Sequence, residues 1–185
     1  VMCHFNAFEW YNLLWNYTRV MRVDEDVCVD AFNANPFNVG DYAYGVIVEE
    51  FHKLTRETFA PWLSVYVSHN KIRVHTPPDA SRMFFTNVFV SNPAFWSRQH
   101  VQKFLQDVSR SENVFRYRWG DAPIQSATVD MFLPLHRRSF LRMNYSHGST
   151  GEVIRDGEVV RDFFSLRTEN KEFLDKYNRC FAPCV

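Results

Sequence analysis

The segment that most constrains this chain reads Arg118-Trp119-Gly120-Asp121-Ala122-Pro123. Asp121 is a favourable N-cap, since its oxygens can accept N–H groups of the first helical turn that have no partner in the helix. Pro123 fits the same turn, because a proline there gives up no helical hydrogen bond. Mostly apolar residues then recur at helical spacing, at Ile124, Ala127, Thr128, Met131 and Phe132. The segment predicts a helix that Asp121 caps, with one buried face and with a carboxylate and an arginine held at the mouth of a cleft.

The rest of the chain alternates between strand-like and helix-like patterns. These patterns predict helices at residues 5–16, 49–63 and 96–109, strands at 18–23, 42–48 and 83–90, and a hairpin across 150–164. The second helix is expected to turn Leu54 and Phe59 inward and to break near Pro61. Strands that alternate with helices are typical of an α/β layered fold, and 185 residues suffice for one domain with a real core.

Charge argues against a nucleic-acid-binding protein, and hydropathy argues against a membrane-spanning segment in this sequence. The formal net charge is zero, from 21 basic and 21 acidic residues, whereas nucleic-acid binding needs an excess of Lys and Arg. No apolar run approaches the ~20 residues that cross a bilayer, and the N-terminus does not read as a signal peptide. Cys180 and Cys184 are close enough in sequence to pair, but the four cysteines do not decide the redox compartment.

The acidic turn Asp24-Glu25-Asp26 follows directly after the strand predicted at 18–23. An α/β sheet binds its ligands beyond the carboxyl ends of its strands. Carboxylates in a tight turn suit a hard divalent cation such as Mn²⁺ or Mg²⁺, which prefers oxygen donors. Such an ion would neutralise a diphosphate and stabilise charge on a leaving nucleotide. Taken alone, an acidic turn is more often a solvent-exposed turn or a helix cap than a metal site.

Several short segments carry a resemblance to a known family. They are residues 118–126 with Phe132-Leu133-Pro134, Met2-Cys3-His4-Phe5 with residues 21–27, Thr86-Asn87 with Phe95-Trp96-Ser97, and Asn144-Tyr145-Ser146-His147. In this order they resemble the Golgi α-1,2-mannosyltransferases, the glycolipid 2-alpha-mannosyltransferase family that uses GDP-mannose. The resemblance covers about residues 2–148, and residues 118–126 are its specific part. It implies a GT-A-like α/β fold, a mixed sheet flanked by helices.

The resemblance also implies a metal site. Asp24 aligns with the acidic position that ligates metal in the family, and Asp26 aligns with the second acid. His147 lies in the segment that resembles the one carrying the family's metal-binding histidine. The implied ligands of Mn²⁺, or of Mg²⁺, are therefore Asp24, Asp26 and His147, and Asp26 would also contact the donor.

Three residues of the central segment receive further roles. Asp121 would hydrogen-bond to the substrate or the reacting centre, in addition to capping its helix. Arg118 would pair with Asp121 or hold a phosphate through its planar fork. Trp119 would be either a core ring or a face on which the sugar stacks. Asp121 and Arg118 are thus the candidate catalytic residues, and Trp119 is a candidate donor contact.

The function implied is that of a metal-dependent retaining glycosyltransferase. It would move mannose from GDP-mannose to a mannose hydroxyl, forming an α-1,2 linkage. Its partners would be the nucleotide sugar and a mannose-containing acceptor glycan, and its location would be the Golgi lumen. The glycosylation sequons at Asn16 and Asn144 agree weakly with a secretory-pathway location.

Departures from the family pattern leave an alternative open. Phe89 stands where the family has a glutamate once proposed as nucleophile, and Asn6 replaces a tyrosine. In the family a nucleotide-binding β-α-β half precedes the segment resembling residues 2–5, so residues 1–185 are expected to form one domain that is a fragment or a piece of a larger protein. The alternative is a non-catalytic sugar-binding or assembly module derived from the fold. A metallohydrolase is disfavoured, because the sequence has no HxH or HExxH pair.

Overall fold

The computed structural model describes residues 8–24, 27–32, 39–45, 47–49, 52–141, 143–147, 152–155 and 158–162. The helices are α1 Trp10–Leu13, α2 Lys53–His69, α3 Pro93–Trp96, α4 Gln99–Arg110, α5 Asn113–Arg116 and α6 Asp121–Phe132, and a 3-10 turn spans Leu135–Arg137. The strands are β1 Val20–Val23, β2 Val27–Phe32, β3 Tyr42–Tyr44, β4 Ile47–Glu49, β5 Arg82–Phe84, β6 Val88–Ser91, β7 Arg138–Phe140, β8 Met143–His147, β9 Glu152–Arg155 and β10 Glu158–Asp162.

The main sheet holds four strands in the order β1-β6-β3-β7. Strand β6 is antiparallel to β1 and to β3, whereas β3 and β7 are parallel. The pairing aligns four residues in one row across the sheet: Val20, Ser91, Tyr42 and Arg138. Strand β1 runs from this row to the opposite end, where Asp24 follows it. A mixed sheet with helices around it confirms the predicted fold class.

A second sheet is antiparallel, in the order β10-β9-β8-β2. Its β9–β10 pair is the predicted hairpin, with Arg155 opposite Glu158. Strands β4 and β5 form a separate ribbon. The strand predicted at 42–48 divides into β3 and β4 at Gly45, where the Met143 side chain occupies the space that a Cβ would need. The strand predicted at 83–90 also divides into two strands, β5 and β6, and residues 85–87 belong to neither.

Helix α2 differs from the prediction at two points. It continues through Pro61 to His69 instead of breaking, and Leu54 is 50% exposed instead of facing inward. Pro61 lies on the exposed side of the helix, where water can satisfy the carbonyl that loses its partner. The buried stripe of α2 consists of Thr55, Phe59, Leu63 and Tyr66. Helix α4 matches its prediction and buries Val101, Phe104, Leu105 and Val108.

Helix α6 is buried on all sides, although the sequence predicted one buried face. Every residue from Ala122 to Val129 is buried. The buried hydroxyls of Ser126 and Thr128 have partners inside the protein. The Ser126 hydroxyl donates to the Ala122 carbonyl at 2.7 Å and accepts from the Phe84 amide at 2.7 Å, and the Thr128 hydroxyl donates to the Ile124 carbonyl at 2.7 Å. The helix is therefore a central element of the core, and its N-terminus is fixed in place.

Aromatic rings fill the core between the main sheet and the helices. Phe89 is 1% exposed, and its ring centroid lies 5.6 Å from that of Tyr42 and 5.7 Å from that of Trp10. Trp96 is fully buried, and its Nε1 donates to the Ser91 hydroxyl at 2.7 Å. These aromatic side chains thus serve the packing of the core. Among the described residues, no helix is long and apolar enough to cross a membrane.

A buried ion cluster lies just outside the aligned row, at the N-terminal end of β1. Its centre is Asp41, whose side chain is 1% exposed. Arg137 donates two hydrogen bonds to Asp41 Oδ2, at 3.0 and 2.7 Å, and Asn92 donates to Oδ1 at 3.1 Å. The guanidinium groups of Arg98 and Arg19 approach the same carboxylate to 3.5 and 4.0 Å. We call this group the arginine end of the main sheet.

Candidate active site

The opposite end of the main sheet holds one arginine shared by two carboxylates. Arg22, on β1, donates from Nε to Asp24 Oδ1 at 2.9 Å, and its Nη2 lies 2.8 Å from the same oxygen. Its Nη1 donates to Asp121 Oδ2 at 2.6 Å. The three side chains are 22%, 31% and 15% exposed, so they lie at the surface of the protein and are partly desolvated. We call them the carboxylate end.

The charge of Arg22 is fixed by this arrangement. Burial lowers the pKa of a guanidinium, but the Asp121 and Asp24 carboxylates outweigh that effect and raise the pKa of Arg22 above its ordinary value. The planar guanidinium presents its donors in two directions, so it can hold both carboxylates at once. One cation against two anions leaves these three groups with a net negative charge, which favours a bound cation or a hydroxyl donor.

Asp121 does not cap its helix, so this part of the sequence prediction is wrong. The N-cap is Gly120, and Asp121 is the first residue of α6. Among the described residues, the Asp121 carboxylate accepts from Arg22 and, at 3.3 Å, from the Thr86 hydroxyl. A charged partner outcompetes a backbone amide for the carboxylate. The side chain therefore points to the end of β1 and away from its own helix, as a group that meets a ligand would.

The acidic turn forms after β1 as predicted, to the extent that it is described. The Val27 amide donates to the Asp24 carbonyl at 3.1 Å, and the Asp24 amide donates to the Asn87 carbonyl at 2.9 Å. Asp26 lies outside the described residues. The backbone of His147 on β8 pairs with Val27 on β2, while the His147 side chain lies outside the described part. Paired residues are about 5 Å apart between Cα atoms, so the backbone brings His147 beside the acidic turn.

The metal set of Asp24, Asp26 and His147 remains a prediction. Among the side chains that the structure describes, no group of three or more His, Cys, Asp or Glu residues is arranged to hold a metal ion. Two members of the predicted set fall outside that search. The residue types of the predicted set suit Mn²⁺, which accepts carboxylate oxygens and imidazole nitrogens.

Arg118 has an unusual backbone conformation and an exposed side chain. Its φ is +56°, which is uncommon for a residue other than glycine, and its carbonyl accepts from the buried Thr55 hydroxyl at 3.0 Å. The proposed ion pair with Asp121 is made by Arg22 instead. Among the described residues, no acidic group forms an ion pair with Arg118, so its guanidinium is available to an anionic ligand.

Trp119 is a core residue. It is 1% exposed, and its ring centroid lies 4.8 Å from Phe59 and 5.2 Å from Trp62. Its Nε1 donates to the Thr58 hydroxyl at 2.8 Å. Of the two interpretations offered by the sequence, core ring or sugar-stacking face, the structure supports the first.

Sequence reasoning did not assign a role to Arg22 or Thr86, although both lie in segments that carried the resemblance. The signal for Arg22 was a charged residue within an otherwise apolar strand, two positions before Asp24. Residues two apart on an extended chain point to the same face. Thr86 gave no comparable signal, since a threonine in a β-rich run is ordinary.

Tyr42 adds a buried hydroxyl to this region. The residue is 0% exposed, and its hydroxyl has no hydrogen-bond partner among the described residues. Burial, and then the nearby Asp121 charge, raise the pKa of Tyr42 above its ordinary value. The phenol therefore stays neutral and lies within electrostatic reach of the carboxylate end.

Comparison with known proteins gives a consistent family. The model of the family described as glycolipid 2-alpha-mannosyltransferase matches residues 69–182. Glycolipid 2-alpha-mannosyltransferase 1 of Candida albicans is 24% identical over 192 residues, which cover 93% of this chain and 44% of that protein. O-glycoside alpha-1,2-mannosyltransferase omh1 of Schizosaccharomyces pombe is 25% identical, over 84% of this chain and 45% of that protein. The chain thus spans less than half the length of these relatives.

Solved structures agree on the fold. The crystal structure of core-mannan synthase A from Aspergillus fumigatus, in its Mn/GDP form, matches with a TM-score of 0.69 at 19% identity, over 79% of this chain and 47% of that chain. The mannosyltransferase Ktr4p from S. cerevisiae, in complex with GDP, matches with a TM-score of 0.69 at 20% identity, over 82% of this chain and 45% of that chain.

Proposed function

The chain belongs to the glycolipid 2-alpha-mannosyltransferase family, and on this premise we propose that it forms the metal- and acceptor-binding part of a mannosyltransferase active site. The donor would be GDP-mannose, and the product would carry a new α-1,2 linkage on a mannose hydroxyl. The protein would act in the Golgi or elsewhere in the secretory pathway. Residues 1–185 would be one catalytic domain, or one piece of it, that works with a nucleotide-binding half.

The observation that supports this proposal is the Arg22 bridge between Asp24 and Asp121. It joins the acidic turn to the start of α6 at the end of the main sheet where α/β proteins bind ligands. The Arg22 guanidinium holds both carboxylates in place through charged hydrogen bonds. Positioned charges of this kind stabilise a transition state without having to reorganise during the reaction.

A divalent cation fits the donor groups that would surround it. Asp24, Asp26 and His147 would hold Mn²⁺ or Mg²⁺, and Asp24 is 31% exposed and thus reachable from solvent. The ion, when bound, would neutralise the diphosphate of the donor. The relative core-mannan synthase A was solved in an Mn/GDP form, which agrees with this assignment.

The chain's own residues would bind and orient the two substrates. Asp121 would accept a hydrogen bond from the acceptor hydroxyl, and Arg22 would hold that carboxylate in position. Arg118, exposed and without an ion-pair partner among the described residues, would hold a phosphate oxygen. Phe89 offers no carboxylate that could form a covalent intermediate. The acceptor would therefore attack the sugar from the same face from which the diphosphate leaves. The acceptor oxygen bonds to the anomeric carbon, the bond from that carbon to the diphosphate breaks, and the acceptor proton passes to the diphosphate.

Transfer from GDP-mannose to methyl α-mannoside, by a protein that contains residues 1–185 together with the nucleotide-binding half, tests the proposal. We expect Mn²⁺-dependent formation of a dimannoside, and a loss of at least about 100-fold in Asp24→Asn or His147→Ala. Glu57→Gln, which alters an exposed carboxylate on α2, serves as the matched control and is expected to retain the activity. Transfer that persists in EDTA, or that is indifferent to Asp24 and His147, would contradict the metal site.

The burial of Phe89 favours a second candidate, a non-catalytic sugar-binding or assembly module. Phe89 packs against Tyr42 and Trp10 in the core, at the position where the family carries a glutamate. A protein that binds mannosides without metal and releases no GDP from GDP-mannose would support this alternative against the first.

A further inference from the structure

A cleft of about 310 Å³ opens between β5, the C-terminal half of α6 and β7. Its lining contains three aromatic residues and four charged ones: Tyr44, Phe84, Phe140, Asp79, Arg82, Asp130 and Arg138. Arg22, Asp24 and Asp121 do not line it. The volume lies at the lower end of the range for small-ligand sites, and a few polar groups within an apolar wall are typical of them.

The aromatic wall is fixed and partly exposed. The Tyr44 ring stacks on Phe84 with centroids 4.4 Å apart, and Phe140 meets Tyr44 edge-on at 5.8 Å. Phe140 is 43% exposed, and the cleft is also bordered by Ile47 and Leu135, which are 40% and 67% exposed. Exposed apolar side chains grouped at one concave surface indicate a place where something binds.

The acidic groups of the cleft are held in place and keep acceptor capacity. Arg138 is 6% exposed and donates to Asp130 Oδ1 at 2.6 Å and to the Leu133 carbonyl at 2.6 Å, at the C-terminal end of α6. No described residue bonds to Asp130 Oδ2, and this oxygen is not among the buried unpaired atoms. Asp79 Oδ1 is fixed by the Ser81 amide at 2.9 Å and hydroxyl at 2.6 Å. Each carboxylate therefore offers an oxygen to a ligand.

The cleft also offers a cation. Arg82 is exposed, and no acidic group among the described residues forms an ion pair with it. Fixed acceptors, a guanidinium donor and aromatic faces are together what a sugar ring requires. Its hydroxyls donate to the carboxylates and accept from the arginine, while its C–H face packs against a ring. Two arginines beside two aspartates make the same cleft unsuitable for a metal ion.

Two elements link the cleft to the carboxylate end. Strand β5 places Arg82 in the cleft and leads to Thr86 beside Asp121. Helix α6 places Asp130 in the cleft and Asp121 at the other end, and nine residues of helix span about 13 Å. A short oligosaccharide can cover this separation.

The geometry points to a second glycan-binding subsite in this cleft, which takes inner mannose residues of an acceptor oligosaccharide. The choice of mannose rests on the proposed function, whereas the site itself rests on the cleft. The subsite extends recognition from a single acceptor sugar to a chain of several sugars.

Titration of the chain with an α-1,2-linked mannotriose and with methyl α-mannoside, followed by NMR without metal or nucleotide, tests this inference. We expect the triose to bind at least about tenfold more tightly than the monosaccharide. Arg82→Ala and Phe140→Ala are each expected to weaken triose binding by about tenfold. Arg110→Ala and Val65→Ala, which alter exposed residues on α4 and α2, are the matched controls and should bind as the wild type does. The spectra also show whether each variant is folded.

Other outcomes separate this inference from the proposed function. Equal affinity for the two sugars, or triose binding that is indifferent to Arg82 and Phe140, would overturn the subsite. Triose binding lost in Asp121→Asn but kept in Arg82→Ala would place the glycan at the carboxylate end alone, which overturns the subsite and leaves the proposed function standing. Triose binding that depends on Arg82, in a protein that never transfers mannose, would support the subsite while the transferase proposal fails.

Discussion

The two ends of the main sheet carry ion clusters of opposite composition. At the arginine end, three guanidinium groups surround the carboxylate of Asp41, which is 1% exposed. At the carboxylate end, Asp24 and Asp121 share Arg22, and all three are partly exposed. The ends are one strand length apart, about 13 Å for four residues. Both clusters join distant parts of the chain through charged hydrogen bonds.

The difference between them lies in which charge is in excess and how deeply it is buried. A carboxylate buried at the arginine end must be compensated, because an unpaired buried charge is very unfavourable. Arg98 and Arg137 are partly exposed to solvent, so the surplus positive charge that they carry is of little cost. At the carboxylate end the surplus is negative and lies at the surface, next to the acidic turn. The first cluster therefore stabilises the fold, and the second retains capacity for a ligand.

Asp41→Ala should have the largest effect on stability. It removes the counter-charge of three arginines and the hydrogen-bond acceptor of Arg137, Arg98 and Asn92. We expect a loss of about 3 kcal/mol in the free energy of unfolding, at the low end for a broken buried ion pair because the arginines keep access to water. Urea denaturation measures it, with Glu57→Ala at an exposed pair as control. A loss below about 1 kcal/mol would mean that this cluster behaves like a surface one.

Asp121→Asn should have little effect on stability and a large effect on mannosyl transfer. The amide can keep contact with Thr86, and Arg22 keeps Asp24, so the free energy of unfolding should change by less than about 1 kcal/mol. If the proposed function holds, mannosyl transfer should fall by about 100-fold, because the substitution removes the charge that we propose lies at the reacting centre. Parallel denaturation and transfer assays give both numbers. A large loss of stability with unchanged transfer would reverse the assignment of the two ends.

Arg22→Lys should have an intermediate effect. Lysine keeps the charge but lacks the planar fork, so it cannot hold Asp24 and Asp121 in the same geometry. We expect Arg22→Lys to lower the free energy of unfolding by about 1 kcal/mol in the wild-type background. The same substitution should lower it by less in a protein that already carries Asp121→Asn. A double-mutant cycle measures this coupling. Strictly additive losses would show that Arg22 and Asp121 do not interact energetically.

Arg98→Ala should have the smallest effect. Its guanidinium approaches Asp41 only to 3.5 Å and its side chain is 40% exposed. Such an ion pair contributes about 0.5 kcal/mol or less, and Arg137 still neutralises the carboxylate. Urea denaturation of Arg98→Ala beside Arg137→Ala checks the ranking. A larger loss for Arg98 would make it the principal partner of Asp41.

Local patterns predicted the elements that depend on local physics. Helix α4 and the β9–β10 hairpin followed from local sequence patterns, and the acidic turn followed from its place after a strand. Prediction failed where tertiary contacts prevail over local preference. Pro61 is tolerated because its side of α2 is exposed, and Asp121 leaves its capping position because Arg22 attracts it across 99 residues.

The candidate site was predictable in part for the same reason. Residue type and order indicated Asp24 and Asp121, since carboxylates in turns and at helix starts are recognisable along the sequence. The partner that joins them was not indicated, because the approach of β1 to α6 is set by the packing of the whole sheet. Arg22 could be assigned only once that packing was known.

Because α6 is enclosed by protein, residues 122–129 should tolerate few substitutions. A helix with one buried face can vary freely on the other, whereas every residue from Ala122 to Val129 is surrounded by protein. Random substitution of this stretch should therefore reveal no permissive side. The space around the helix, more than any reaction chemistry, then limits which side chains residues 122–129 can carry.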